Sequence, residues 1–145
     1  LAEKNERQKC TYITNEIDIF DNQRVIRTKY DVISENIAIQ LYSKGSKKKI
    51  VFGASLELGC ASPHKTNRSK VMVMLENEDV ITFYHSSKLD CGEFELWGNV
   101  SNSEIIRLKK SPIKAIKLTG TDYYDTVEQF EWPTYFIDQL KCFNP

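Results

Sequence analysis

The sequence predicts a mainly β protein, an antiparallel sandwich or partly open barrel with one short internal helix and a C-terminal helix. Three observations predict it. Ile, Val and Thr supply 31 of 145 residues against five alanines, and β-branched side chains lose rotamer freedom in a helix but pack well on a pleated surface. Apolar residues recur with period two in several short runs, the signature of half-buried strands. Turn-forming Gly, Asn and Asp separate those runs at hairpin spacing. The length fits a single domain, here residues 10–145. Residues 1–9, mostly charged or amide, read as a polar N-terminal tether. They hold no signal-peptide core, as expected of either a processed mature chain or a trimmed one.

The first strand is Cys10–Phe20, with Ile13, Ile17 and Ile19 pointing one way and Tyr12, Thr14, Glu16 and Asp18 the other. Asp21-Asn22 turns the chain into Gln23–Ile33. A second hairpin pairs Ile37, Ile39 and Leu41 with Ile50, Phe52, Ala54, Leu56 and Leu58 across Lys44-Gly45-Ser46-Lys47. Gly53 in that strand signals a bulge or a close backbone approach. In the third hairpin, Lys70–His85, a two-residue loop at Asn77-Glu78 would oppose Leu75 to Val80, Val73 to Thr82 and Val71 to Tyr84. The other face would carry Met72, Met74, Ile81 and Phe83. Two apolar faces place such a hairpin in mid-sheet, covered on both sides. Phe94 and Leu96 mark a shorter strand. Asn102 or Ser103 caps a helix running to Lys110, with Glu104 in its first turn. Ile113–Leu118 and Tyr123–Phe130 return to strand. Pro133 opens a closing helix with Phe136 and Leu140 on one face.

Catalytic patterns are scarce. His64 and His85 have no ligand partner at helical spacing, so they read as solvated side chains, and no metal site or cofactor is expected. Gly45-Ser46-Lys47 lacks the upstream glycine of a phosphate loop, and no serine elbow occurs. Asp122 and Asp125 around Tyr123 and Tyr124 could serve a hydrolase as paired carboxylates, yet Asp beside Gly120 reads as a turn. The aromatic group Tyr123, Tyr124, Phe130, Trp132, Tyr135 and Phe136 reads as core under the closing helix. No catalytic residue is assigned.

Net charge is zero but segregated. Residues 44–70 hold seven basic side chains against one acidic, and residues 76–104 hold the reverse. Up-and-down strands would bring the Lys44–Lys49 loop against Glu76, Glu78 and Asp79, and the His64–Lys70 loop against Asp90, Glu93 and Glu95. Each end is then near neutral, and nucleic acid is not an expected partner. No apolar run is long enough for a transmembrane helix.

Cys10, Cys60, Cys91 and Cys142 contain no Cys-x-x-Cys pair, which sets aside zinc-ribbon and thioredoxin readings. Three pairings are open, as is a set of four reduced thiols. The strand path brings Cys60 and Cys91 to one end, making them the candidate disulfide, with Cys10 and Cys142 as a second pair. Asn67-Arg68-Ser69 and Asn99-Val100-Ser101 match the glycosylation pattern, which acts only in a eukaryotic secretory route.

The stretches SPIKAIKLTG, YYD and YFIDQLKC, between Ser111 and Cys142, resemble the C-terminal part of uncharacterised small β-rich proteins, often lipoprotein-like, exported by Bacteroidetes. DIFDNQRVIRTKY, from Asp18, resembles their first hairpin. The resemblance spans under a third of the chain and implies a periplasmic, cell-surface or secreted domain with no site residues to carry over. The expected function is a non-enzymatic binding or scaffold module of the cell envelope, with an envelope protein or glycan as partner. The alternatives are a carrier holding an apolar ligand against Met72, Met74, Ile81 and Phe83, or a hydrolase around Asp122, Tyr124 and Asp125.

Overall fold

Alternation along Ile37–Lys44 sends Ile37, Ile39 and Leu41 to one side of their strand, and all three are fully buried. Register carries that face across the neighbouring strand, where Ala54, Phe52 and Ile50 lie opposite them. A computed structural model describes residues 6–145. It contains ten strands: β1 (Tyr12–Asp18), β2 (Gln23–Thr28), β3 (Asp31–Val32), β4 (Ile37–Lys44), β5 (Lys47–Ala54), β6 (Lys70–Leu75), β7 (Val80–Tyr84), β8 (Phe94–Asn99), β9 (Ile113–Thr119) and β10 (Tyr124–Val127). One antiparallel sheet has the order β1-β2-β4-β5-β8, with the short β3 pairing β4 beside β2; the second has the order β10-β9-β6-β7. The two sheets face each other as a sandwich and do not close into a barrel. An isolated bridge between His85 and Gly98 ties the end of β7 to β8 at one corner.

The second sheet contributes Val71, Val73 and Leu75 from β6, Ile81 and Phe83 from β7, and Ile113, Ile116 and Leu118 from β9. Ile113 and Ile116 are three apart, a spacing that strict alternation would split between two faces. An irregularity in the β6–β9 register at Met74/Leu75 absorbs the extra residue, so both isoleucines reach the core. The layers meet where the Phe52 and Phe83 rings lie 5.3 Å apart. Gly98 permits that contact, because a Cβ there would sit 2.6 Å from the Cβ of Phe83.

The Lys70–His85 hairpin departs from the sequence expectation by one residue. The Leu75 N–H donates to the Asp79 carbonyl, and Glu78 takes a left-handed φ of 70°. The loop therefore has three residues, 76–78, and places Val73 opposite Ile81 and Val71 opposite Phe83. A one-residue slip reverses a strand's faces. Ile81 and Phe83 thus join the valines in the core, while Met72, Met74, Thr82 and Tyr84 face outward. β7 ends the sheet order rather than lying in mid-sheet.

Helix α1 (Asn102–Leu108) is capped by Ser101, not by Asn102 or Ser103, and ends before Lys110. The Ser101 hydroxyl accepts from the Glu104 N–H while Glu104 accepts from the Ser101 N–H, a reciprocal capping box. Its Arg107 grips Asp79 with two nitrogens at 2.7 and 2.9 Å. The closing helix α2 (Tyr135–Gln139) runs into a 3-10 turn (Leu140–Phe143). Trp132, Tyr135, Phe136, Leu140 and Phe143 are buried beside the first sheet.

Of the expected tether, Leu1–Asn5 lie outside the described residues. Residues 6–8 form a helical turn docked on the C-terminal segment. The Gln139 side-chain amide donates to the carbonyls of Arg7 and Lys9, the Arg7 guanidinium donates to the Glu131 carbonyl, and Arg7 stacks 5.2 Å from the Trp132 ring.

Candidate binding surfaces

Two disulfides join Cys10 to Cys142 and Cys60 to Cys91, and no cysteine is free. His64 is exposed. His85, expected to be solvated, is buried at the sandwich corner, where Nδ1 accepts from the Trp97 N–H and Nε2 donates to the Lys88 carbonyl at 2.7 Å. That ring is a structural bracket between β7 and β8. Among the described residues, no three His, Cys, Asp or Glu side chains converge as metal ligands.

Asp122 accepts from the neighbouring Thr121 hydroxyl, and Asp125 from the Thr126 N–H, each serving its own backbone or neighbour. The aromatic group divides: Trp132, Tyr135 and Phe136 are core, Phe130 is half-buried, and Tyr123 and Tyr124 are exposed on or beside the edge strand β10. The apolar face of Met72, Met74, Ile81 and Phe83 does not exist as a surface, since the register splits it between solvent and core. Asn67 accepts from the Ser62 hydroxyl, and Ser69 of the same glycosylation triplet is fully buried.

Lys44 meets neither Glu76, Glu78 nor Asp79. It bridges Asp21 at 2.8 Å and Asp18 at 3.6 Å, while Asp79 is held by Arg107. The hydrogen bond between Lys44 and Asp21 pushes the ammonium pKa up and the carboxyl pKa down. These contacts organise the tip of the β1–β2 hairpin. Asp18 accepts from the Phe20 N–H, Asp21 accepts from the Gln23 N–H, and the Asn22 N–H donates to the Asp18 carbonyl, with Asn22 at a left-handed φ of 58°. Asn and Asp adopt that conformation readily because their short polar side chains hydrogen-bond locally. The fixed backbone presents Ile19 and Phe20 outward at 86% and 94% exposure. A bulge at Ile13, between Tyr12 and Thr14, breaks the alternation of β1. Ile13 and Ile17 therefore no longer share one face, although both remain exposed.

A second surface lies on the outer face of the first sheet. Arg27 stacks 5.5 Å from the Tyr42 ring and 5.8 Å from the Trp97 ring, and the two rings pack edge to face at 5.4 Å. The Trp97 indole N–H donates to one oxygen of Glu95, and the Tyr30 hydroxyl donates to the other, each at 2.8 Å. Burial, and then the hydrogen bond to Glu95, push the Tyr30 phenol far above its usual range, so it stays a donor. Beside these groups runs a trough of about 370 Å³, lined by Tyr30, Val32, Asn36, Ser55, Glu93 and Glu95 among others.

No family model, curated protein or solved structure matches this chain. Function must therefore be read from these surfaces. Neither surface is announced by a local sequence pattern. The hairpin tip was legible as a turn but not as an exposed apolar one. The trough draws on β4, β5, β8 and the residues after β2, whose proximity no local pattern reports.

Proposed function

We propose that this chain is a non-enzymatic binding or scaffold module of the cell envelope, acting in the periplasm, at the cell surface or after secretion. Its two disulfides support an oxidising compartment, since cytosolic thiols are kept reduced. The observation that carries the binding role is the hairpin tip. Two large apolar side chains stand almost fully in water on a backbone pinned by three hydrogen bonds and the Lys44 bridge. Exposed apolar groups cost solubility and mark contact sites. Rigid presentation lowers the entropy lost on docking, and a central apolar anchor dominates many interfaces. Asp18 and Asp21 flank the pair, favouring a pocket on a protein over an anionic membrane surface.

A photo-crosslinking residue placed at Phe20 in cells tests this, with one at exposed Lys114 as control. A discrete adduct at position 20 alone, competed by unlabelled protein but not by its Phe20→Asp variant, is expected. Equal adducts at both positions, or none, would reject the anchor. Protein from its native compartment should keep all four cysteines protected from alkylation until reductant is added. Free thiols there would reject export, and turnover on any substrate would reject the non-enzymatic role.

A further inference from the structure

Register places four residues in one row across the outer face of the first sheet. Val32 lies opposite Ala38, Ala38 opposite Gly53, and Gly53 opposite Glu95. The two central members have a methyl group and no side chain, so the floor is low over two strands, a width of about 10 Å at the usual strand spacing, with the Tyr30 ring packed against its Gly53 part. Toward the strand ends the floor continues through Asn36 and Ser55, whose side chains hydrogen-bond each other at 3.2 Å. The Tyr30 ring covers part of that floor, lying 3.6 Å from where a Gly53 Cβ would stand, and its hydroxyl reaches on to Glu95. Exposed Val32 forms one wall, and Glu95 and Glu93, two residues apart on one side of the β8 edge, form the other, with Glu35 at the rim.

The carboxylates of this trough are not ion-paired. None of the ion pairs among the described residues involves Glu35, Glu93 or Glu95. Arg27 lies over the Tyr42 and Trp97 rings instead. Glu95 is fixed by two neutral donors, Tyr30 and Trp97, and a carboxylate has lone pairs left for a further donor. The trough thus combines an aliphatic floor, an aromatic ring over part of it and an oriented anionic acceptor. A four-carbon stem carrying a cation matches each in turn: methylenes on Ala38 and Gly53, positive charge beside the Tyr30 ring, and charge-assisted hydrogen bonds to Glu95 and Glu93.

We infer that this trough receives a lysine or arginine side chain from an extended segment of a partner protein. The site lies at the Asn36 end of β4, whereas the hairpin tip lies at the Lys44 end, so it stands apart from the anchor proposed above.

Titration of labelled protein with acetyl-Gly-Lys-Gly-amide, acetyl-Gly-Arg-Gly-amide and acetyl-Gly-norleucine-Gly-amide tests it. The amide resonances of Ala38 and Gly53 and the Trp97 indole N–H are the readouts. The basic peptides should give saturable shifts that weaken with salt, and the norleucine peptide none. Glu95→Gln should weaken binding about tenfold. Gly53→Thr, which fills the floor but keeps every carboxylate, should weaken it comparably. Both variants should keep the wild-type melting temperature to within a few degrees, and Phe20→Asp should leave the titration unchanged. Equal shifts from the norleucine peptide, or binding untouched by both trough variants, would overturn the assignment. Agmatine binding as tightly as the peptides would replace it with a small-cation site. Concentration-dependent self-association lost in Glu95→Gln would replace it with a second copy of this chain.

Discussion

The hairpins β1–β2 and β6–β7 are alike on paper: two antiparallel strands of five to seven residues, a tight turn with one residue at positive φ, and apolar residues in both arms. In β6–β7, Val71, Val73, Leu75, Ile81 and Phe83 are buried, and of the large apolar side chains only Met74 and Tyr84 are exposed. In β1–β2, Ile13, Ile17, Ile19 and Phe20 stay in water, and only Ile26 is fully buried. The difference is the opposing layer. β6–β7 lies under the first sheet, with Phe83 against Phe52. β1–β2 outruns its neighbours: its last pairing with β4 is Val25 opposite Lys44, and the residues beyond have no second sheet to meet. Hydrophobicity makes burial favourable, but a facing surface is needed to realise it. The edge hairpin is held instead by covalent and polar ties. Cys10–Cys142 clamps the approach to β1, the Tyr12 hydroxyl donates to the Cys142 carbonyl at 2.7 Å, and Lys44 locks the tip.

The largest expected effect tests the covalent tie. Cys10 and Cys142 are 132 residues apart and Cys60 and Cys91 only 31. The chain-entropy relation gives about 5 kcal/mol for the first and about 4 kcal/mol for the second. Paired Cys→Ser variants unfolded in urea should rank in that order. Hydrogen exchange on the first variant should show residues 12–28 losing protection while residues 70–84 keep theirs. Equal loss in both hairpins would break the comparison.

Phe83→Ala removes a fully buried ring between the layers and should cost about 3–5 kcal/mol. Phe20→Ala, with its ring in water, should shift stability by less than about 0.5 kcal/mol. Comparable costs at the two positions would mean that the tip is packed in solution.

Tyr135 tests the packed side more finely. Its hydroxyl is buried without a hydrogen-bond partner, and burial, then the nearby Asp31 charge, hold its phenol well above the usual range. Tyr135→Phe should raise stability by about 1 kcal/mol, because it deletes an unsatisfied polar atom and little volume. A loss of that size would reveal a partner for the hydroxyl. The alkaline limb follows from the same shift. A phenol raised in the folded state contributes stability that is fully present below about pH 10, the unfolded value, and is lost as pH rises above it. Tyr30 is raised in the same direction. Denaturation midpoints should therefore hold steady to about pH 10 and then fall, with a shallower fall when both tyrosines are phenylalanine.

Much of the fold was legible because its cause is local. The period-two runs in β4 and β5 and Pro133 ahead of α2 each state their structure in neighbouring residues. The Lys70–His85 register was not, because Glu78 accepted a left-handed backbone that its side chain does not advertise, and one extra loop residue exchanged the two faces. His85 failed for a related reason. Its ring partners, Trp97 and Lys88, are brought to it by the β7–β8 corner. Of the two candidate surfaces, Asp21-Asn22 marked the tip as a turn, whereas the exposure of Ile19 and Phe20 depended on where the second sheet ends.

By itself the sequence determined the class: β-branched side chains in alternating runs separated by turn residues make antiparallel strands, and enough of them are apolar to cover two facing sheets. Tertiary structure alone decided which apolar side chains face water, which carboxylates stay unpaired and which small residues open a trough. Those properties depend on what lies across a sheet or between layers. Ala38, Gly53 and Glu95 become neighbours only through hydrogen-bonded register, joining residues up to 57 positions apart that no local pattern in the chain connects.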